Sequence, residues 1–183
     1  RGIGRISTFW INSEEITSEK NVLKWFHRIQ NALQTEAFVV YLQPIKPAQS
    51  NTDATCSYEA LIRLKEGETI ISPFHFIEPA ERFNLAPDID FYMVRKVVQH
   101  LKDNPEFLQQ VKHIAINLSG ITLSSMKNAR KIIEIIESAE IPFNKICFEV
   151  TETSALSNLD SAINFIELLR EKGCKFSLDD FGT

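Results

Sequence analysis

Ser57-Tyr58-Glu59-Ala60-Leu61-Ile62-Arg63-Leu64 is the stretch on which the reading of this chain turns. Its Tyr, Ala, Leu and Ile predict a strand, and an apolar strand is a costly place for an unpaired charge. Glu59 and Arg63 stand in it all the same, with matching side-chain parity. Charges kept in such a setting point to partners. Three later stretches that also read as strands carry oxygen donors able to meet Glu59 in space: Asn117, Glu149, and the pair Asp179 and Asp180. Together they point to a metal site.

The surrounding chain is ordinary in bulk. At 183 residues, 44% hydrophobic and 24% charged with a net charge of -4, it has material for a sizeable core and no sign of disorder. It has no Lys/Arg block, which argues against a DNA- or RNA-binding face, although a small phosphate ligand needs only one or two cations. No apolar run approaches the roughly 20 residues a membrane-spanning helix requires. Cys56, Cys147 and Cys174 are far apart and lack CxxC spacing, so a reducing, cytoplasmic setting is expected. His27, His75, His100 and His113 show no metal-ligand spacing and read as structural or incidental.

Outward from the Glu59 strand, Phe38 to Ile45 is rich in β-branched and aromatic residues and predicts a strand closed by Pro44 and Pro47. Gln49 to Thr55 reads as a loop, and Lys65 to Glu68 as the turn after the Glu59 strand. Val22, Trp25, Phe26, Ile29 and Leu33 follow helical spacing and predict a helix from about Ser18 to Gln34, either a linker or the first layer of the domain. Ser72-Pro73 predicts a capped helix start running through Phe76, Ile77 and Ala80 towards Phe83. A helix from Asp88 carries the stripe Phe91, Val94, Val98 and Leu101. Thereafter strands at 113–118, 145–150 and 175–180 alternate with helices marked by Ala129, Ile132, Ile133 and Ile136, and by Ala162, Phe165, Ile166 and Leu169. Gly173 reads as the left-handed stop of the last helix. Near-continuous apolar strands alternating with helices predict parallel strands covered by helices.

In that architecture Asn117, Glu149 and Asp179 fall at or near the C-terminal ends of their strands, where (β/α) barrels and open α/β sheets build their sites. A single carboxylate there is more often a cap or an ion-pair partner. Several at one rim would repel one another without a cation. Carboxylate and amide oxygens are hard ligands, suited to Mg²⁺ or Mn²⁺ rather than zinc. The adjacent Asp179 and Asp180 offer a way to hold two ions, an arrangement suited to phosphoester hydrolysis. Arg63 reads equally as a phosphate ligand or as half of an ion pair. Asp180-Phe181-Gly182 matches the DFG tripeptide of protein kinases, but the chain has no Gly-rich loop and no HRD motif, so that reading fails.

Glu59-Ala60-Leu61 followed by Arg63 resembles the signature of EAL domains, the phosphodiesterases of bacterial cyclic di-GMP signalling. The resemblance continues in order through Gln43-Pro44-Ile45, Ser72-Pro73, Phe76-Ile77, Ala80-Glu81, Asn117-Leu118-Ser119, Glu149-Val150-Thr151-Glu152 and Asp179-Asp180-Phe181-Gly182-Thr183. Departures are Leu64, where the family usually has Trp, and Asn84-Leu85-Ala86 in place of Gly-Leu-Ile.

The resemblance implies a TIM-like (β/α) barrel of EAL type whose first strand runs against the others, truncated here after about the fifth strand. It implies that Glu59, Asn117, Glu149, Asp179 and Asp180 bind Mg²⁺ or Mn²⁺ in a two-metal site. Gln43 and Arg63 would contact substrate, and Glu152 would hold the loop after Asp180. The expected reaction is metal-assisted attack of water on cyclic di-GMP, giving linear pGpG; the alternative is an inactive EAL domain that binds the nucleotide or a protein partner.

Residues 1–35 are expected to be the tail of an upstream domain, resembling the end of a GGDEF domain, plus a linker helix. Residues 36–183 would be the N-terminal portion of the EAL domain, in a parent that is cytoplasmic or tethered to the inner membrane. The resemblance allows a homodimer through the EAL domain. The remaining strands, with a lysine that assists the water, would come after Thr183. A half barrel exposes an edge strand, so residues 1–183 alone are expected to fold poorly, to self-associate or to be part of a longer product.

Overall fold

The computed structural model describes residues 13–46, 56–151, 153, 156 and 158–179, and only the backbone of 13–22 and 179. The apolar opening at 1–12, the loop read at 49–55, Glu152 and Asp180 fall outside these residues. The strands are β1 (Phe38–Ile45), β2 (Cys56–Glu66), β3 (Thr69–Ile71), β4 (Val111–Asn117), β5 (Ile146–Thr151) and β6 (Lys175–Asp179). The helices are α1 (Ser13–Gln34), α2 (Ile77–Arg82), α3 (Ala86–Asp103), α4 (Pro105–Gln110), α5 (Gly120–Leu123), α6 (Met126–Ala139) and α7 (Leu159–Lys172).

The sheet runs β1-β2-β4-β5-β6, with β3 paired to the side of β2. β1 lies antiparallel to β2, while β2, β4, β5 and β6 are parallel. The five strands read from the sequence are all present, and the first runs against the rest as the resemblance implied. β3 is an addition. Of the residues read as a turn, Lys65 and Glu66 instead extend β2, while Gly67 and Glu68 make the reversal, the φ of +57° at Gly67 suiting glycine.

One sheet face is covered by helices because alternate strand residues are apolar and the helices present matching stripes. Ala60, Ile114, Ile116, Phe148 and Val150 pack with Val94, Val98 and Leu101 of α3, Ile132 and Ile136 of α6, and Ala162, Phe165 and Leu169 of α7. Each fully buried aliphatic or aromatic side chain of this layer contributes roughly 1.5–3 kcal/mol. The C-terminal half of α1 belongs to a second cluster, in which Ile29 and Ala32 pack with Phe38, Leu64, Phe76, Ala80, Ile89 and Tyr92. That half of α1 is therefore a layer of the fold, further held by a bidentate Arg28–Glu66 ion pair to the end of β2 at 2.8–2.9 Å.

The helix expected at Ser72-Pro73 is split. Residues 73–75 make a single tight turn, Phe76 breaks it at φ -125°, and α2 begins at Ile77. Ser72 is extended but its side chain makes no capping bond. Burial of the Phe76 ring in the second cluster accounts for the break. Gly173 ends α7 with φ +109°, as read. Among the described residues no helix is long and apolar enough to cross a membrane.

Candidate active site

The strand register sets which side chains share the uncovered face. Glu59 pairs with Ala115, so Glu59 and Asn117 have the same parity across the parallel β2–β4 ladder. Asn117 pairs with Glu149, and Glu149 with Ser177. On the other side, antiparallel pairing puts Gln43 directly opposite Glu59. Gln43, Glu59, Asn117 and Glu149 thus share one face of four adjacent strands, Gln43 level with Glu59 and Asn117 level with Glu149, the second pair two residues, roughly 7 Å, further along. Asp179, the last residue of β6, continues the rim, paired with Thr151.

Side-chain contacts tie this face together. Asn117 Nδ2 donates to Glu59 Oε1 at 3.0 Å, and Ser177 Oγ donates to Glu149 Oε1 at 3.2 Å. A neutral amide therefore stands between two carboxylates, which lowers their mutual repulsion. Asn117 uses its nitrogen for Glu59, leaving the amide oxygen as the atom with which it would coordinate a cation. The described donors are all hard oxygens and so fit Mg²⁺ or Mn²⁺. Among the described residues no group of three His, Cys, Asp or Glu side chains is placed to hold a metal. The described part of the proposed set contains two carboxylates and one amide.

β2 is longer than its parallel neighbour. β4 ends at Asn117, level with Leu61, whereas β2 continues to Glu66 between β1 and β3. Arg63 therefore sits two residues, roughly 7 Å, past the level of Asn117. Its guanidinium donates to the Ile62 carbonyl at 2.7 Å. No ion pair with Arg63 occurs among the described residues. A cleft of about 370 Å³ opens beside this overhang, with Arg63, Asn117, Glu149 and Thr151 in its lining. Glu59 and Gln43 lie outside that lining, so the cleft reaches only the further pair.

One residue that the sequence reading passed over closes the cleft from below. Asp90 of α3 is 8% exposed. Its Oδ2 accepts the Ser119 N–H at 3.0 Å, the Ser119 hydroxyl at 2.7 Å and the Thr122 hydroxyl at 2.5 Å. Burial pushes its carboxyl up from the usual 3.8 to about 6, with Glu81 adding to the rise and the three hydrogen bonds opposing it. The signal was available: Asp90 precedes Met93, Val94 and Val97 at helical spacing, a charge on an apolar face like Glu59 in its strand. His113 lies on the Asn117 face of β4 with a buried, unpartnered Nδ1, and burial, followed by Lys175 and Lys112, holds its pKa down. Cys56, Cys147 and Cys174 are free thiols.

The family model described as "EAL domain" matches residues 27–183. The cyclic di-GMP phosphodiesterase PdeB of Shewanella oneidensis is 34% identical over 184 residues, covering 100% of this chain and 21% of the relative. The cyclic di-GMP phosphodiesterase PdeF of Escherichia coli is 30% identical, covering 90% of this chain and 21% of the relative. The chain thus spans about a fifth of the length of these relatives.

Among solved structures, the FimX EAL domain of Xanthomonas citri, in complex with c-diGMP, superposes with a TM-score of 0.76 at 21% identity, over 88% of this chain and 62% of that one. The FimX EAL domain of Pseudomonas aeruginosa, bound to c-di-GMP, gives 0.77 at 23% identity, over 86% of this chain and 62% of that one. These likenesses establish the fold: the open sheet described above is part of a TIM-like barrel of EAL type. Since the family model reaches from α1 to Thr183 and takes in every strand of the sheet, this chain belongs to the EAL domain family.

Proposed function

We propose that this chain carries one wall of the active site of a metal-dependent cyclic di-GMP phosphodiesterase that opens the cyclic dinucleotide to linear pGpG. The observation that carries the reading is the Asn117–Glu59 hydrogen bond at 3.0 Å, in register with Glu149 at the strand ends. It supports a set of oxygen donors gathered at one rim. Glu59, Asn117, Glu149 and Asp179 would hold Mg²⁺ or Mn²⁺, with Asp180 serving a second ion. Such ions, when bound, acidify a water and offset charge on phosphoryl oxygens.

The chain's other residues bind and orient. Arg63, on the overhang above the donors, presents a guanidinium fork suited to a phosphate oxygen pair. Gln43, opposite Glu59 across the β1–β2 ladder, contacts the substrate from the adjoining strand. Glu152, by its resemblance to the family's motif, would hold the loop after Asp180.

The test is hydrolysis of cyclic di-GMP by the full-length gene product with Mg²⁺ or Mn²⁺, read as pGpG by chromatography. Wild-type protein should turn over, and Glu59→Ala should lose at least a hundredfold in kcat, a loss of roughly 3 kcal/mol or more. Turnover that survives Glu59→Ala refutes the assigned role. Wild-type protein that retains the nucleotide without turnover is a binding module instead.

A further inference from the structure

We infer that Asp90 is a positioning residue for Asn117, acting through Ser119 to set the turn that aims the Asn117 amide. The inference rests on the reading of Asn117 as an oxygen ligand. The β4–β5 ladder ends at the pair Asn117 and Glu149, so strand pairing alone does not fix the residues beyond Asn117. Two backbone N–H groups do. Leu118 N–H donates to the Glu149 carbonyl at 2.9 Å, and Ser119 N–H donates to Asp90 Oδ2 at 3.0 Å. The turn after Asn117 is held from β5 on one side and from α3 on the other.

A purely structural need would be met without a buried charge. Ser119 already caps α5, its Oγ accepting the Thr122 N–H at 3.2 Å while donating to Asp90. A carboxylate placed beneath that cap carries a desolvation cost that capping does not require. What it adds is direction. Its acceptance of the Ser119 hydroxyl fixes that rotor, and its third bond, to Thr122, locks the first turn of α5 against α3. Asp90 also lines the same cleft as Arg63, Asn117 and Glu149, so the turn it holds is the floor of the proposed site. In metal sites generally, removing an outer partner bonded directly to a ligand weakens metal about 10- to 100-fold; Asp90 acts one step further out, through the backbone and hydroxyl of Ser119.

The experiment compares wild type, Asp90→Ala, Asp90→Asn and Ile136→Val in the full-length gene product. Mn²⁺ affinity is read by electron paramagnetic resonance, the melting temperature by calorimetry, and the Asn117 Nδ2 to Glu59 Oε1 distance from metal-free crystals. Ile136 is fully buried in α6 away from the cleft, so Ile136→Val supplies a loss of stability without a change at the turn. Asp90→Ala should weaken Mn²⁺ about 10-fold, the lower end of that range, and Asp90→Asn, which keeps an acceptor oxygen, should recover most of that loss. Ile136→Val should leave the affinity unchanged.

A folded Asp90→Ala protein with wild-type Mn²⁺ affinity overturns the inference, whatever its melting temperature. If wild type itself fails to bind Mn²⁺, the ligand reading of Asn117 falls, and the crystals decide positioning alone. A distance lengthened beyond hydrogen-bonding range in Asp90→Ala supports it; 3.0 Å retained overturns it. Should Asp90→Ala not fold, Ser119→Ala, which removes one of the three bonds, takes its place under the same readings, with a smaller loss expected.

Discussion

Replacing Asp90 by Asn should change how the stability of this domain depends on pH, and the size of the change comes from the environment of the carboxyl. In the folded state its pKa is about 6, against an ordinary value of 3.8. The native state therefore binds this proton more tightly than the unfolded chain does. The associated stability is present in full below about pH 3.8 and is lost as pH rises through about 6. Two pKa units correspond to roughly 3 kcal/mol, and Asp90 is buried enough that solvent screening does not erase the effect.

Other carboxylates of the domain also titrate on acidification. They are common to both proteins and cancel in the difference. The assay is urea unfolding of metal-free domain by tryptophan fluorescence, from pH 7 down to pH 4 in steps. The stability of wild type relative to Asp90→Asn should rise by up to about 3 kcal/mol on acidification. Parallel curves, or a difference that moves the other way, would refute the reasoning from burial to pKa to stability.

Two further outcomes rest on packing and backbone geometry. Phe148 is fully buried on the helix-covered face of β5, its ring 5.6 Å from that of Phe176, and Phe148→Ala should cost about 3–5 kcal/mol in urea unfolding; a loss below about 1 kcal/mol would mean that the layer rearranges to fill the space. Gly173→Ala should cost about 1–2 kcal/mol because φ is +109°, while the new Cβ meets only Phe143 Cβ at an ordinary 3.5 Å; an unchanged melting temperature would show that the turn relaxes.

What could be read from the sequence was what repeats. The five main strands, α6 and α7 announce themselves by apolar periodicity, and the common parity of Glu59, Asn117 and Glu149 emerges once the strands are right. β3 escaped because three residues are too few to show a period. The split at Phe76 escaped because Ser72-Pro73 looks the same whether the chain continues as one helix or stops after a turn; the burial of one ring decides it. The overhang of β2 depends on where β4 stops pairing, a property of two distant segments that neither shows alone. Asp90 was missed because a carboxylate early in a helix is ordinarily read as a favourable end charge. Only the spacing to Met93, Val94 and Val97 marks it as inward-facing.

The Glu59–Asn117 hydrogen bond also has a kinetic meaning. It joins residues 58 apart in sequence, whereas the Ser177–Glu149 bond joins residues 28 apart. Doubling a closed loop costs about 0.6 kcal/mol more in chain entropy, so the β2–β4 seam is harder to zip than the β5–β6 seam. The chain between β2 and β4 forms β3, α2, α3 and α4, so that seam joins the two ends of a long connection. The donors Glu59 and Asn117 therefore meet across the seam with the larger closure cost of the two, so that pairing them and joining β2 to β4 are one event.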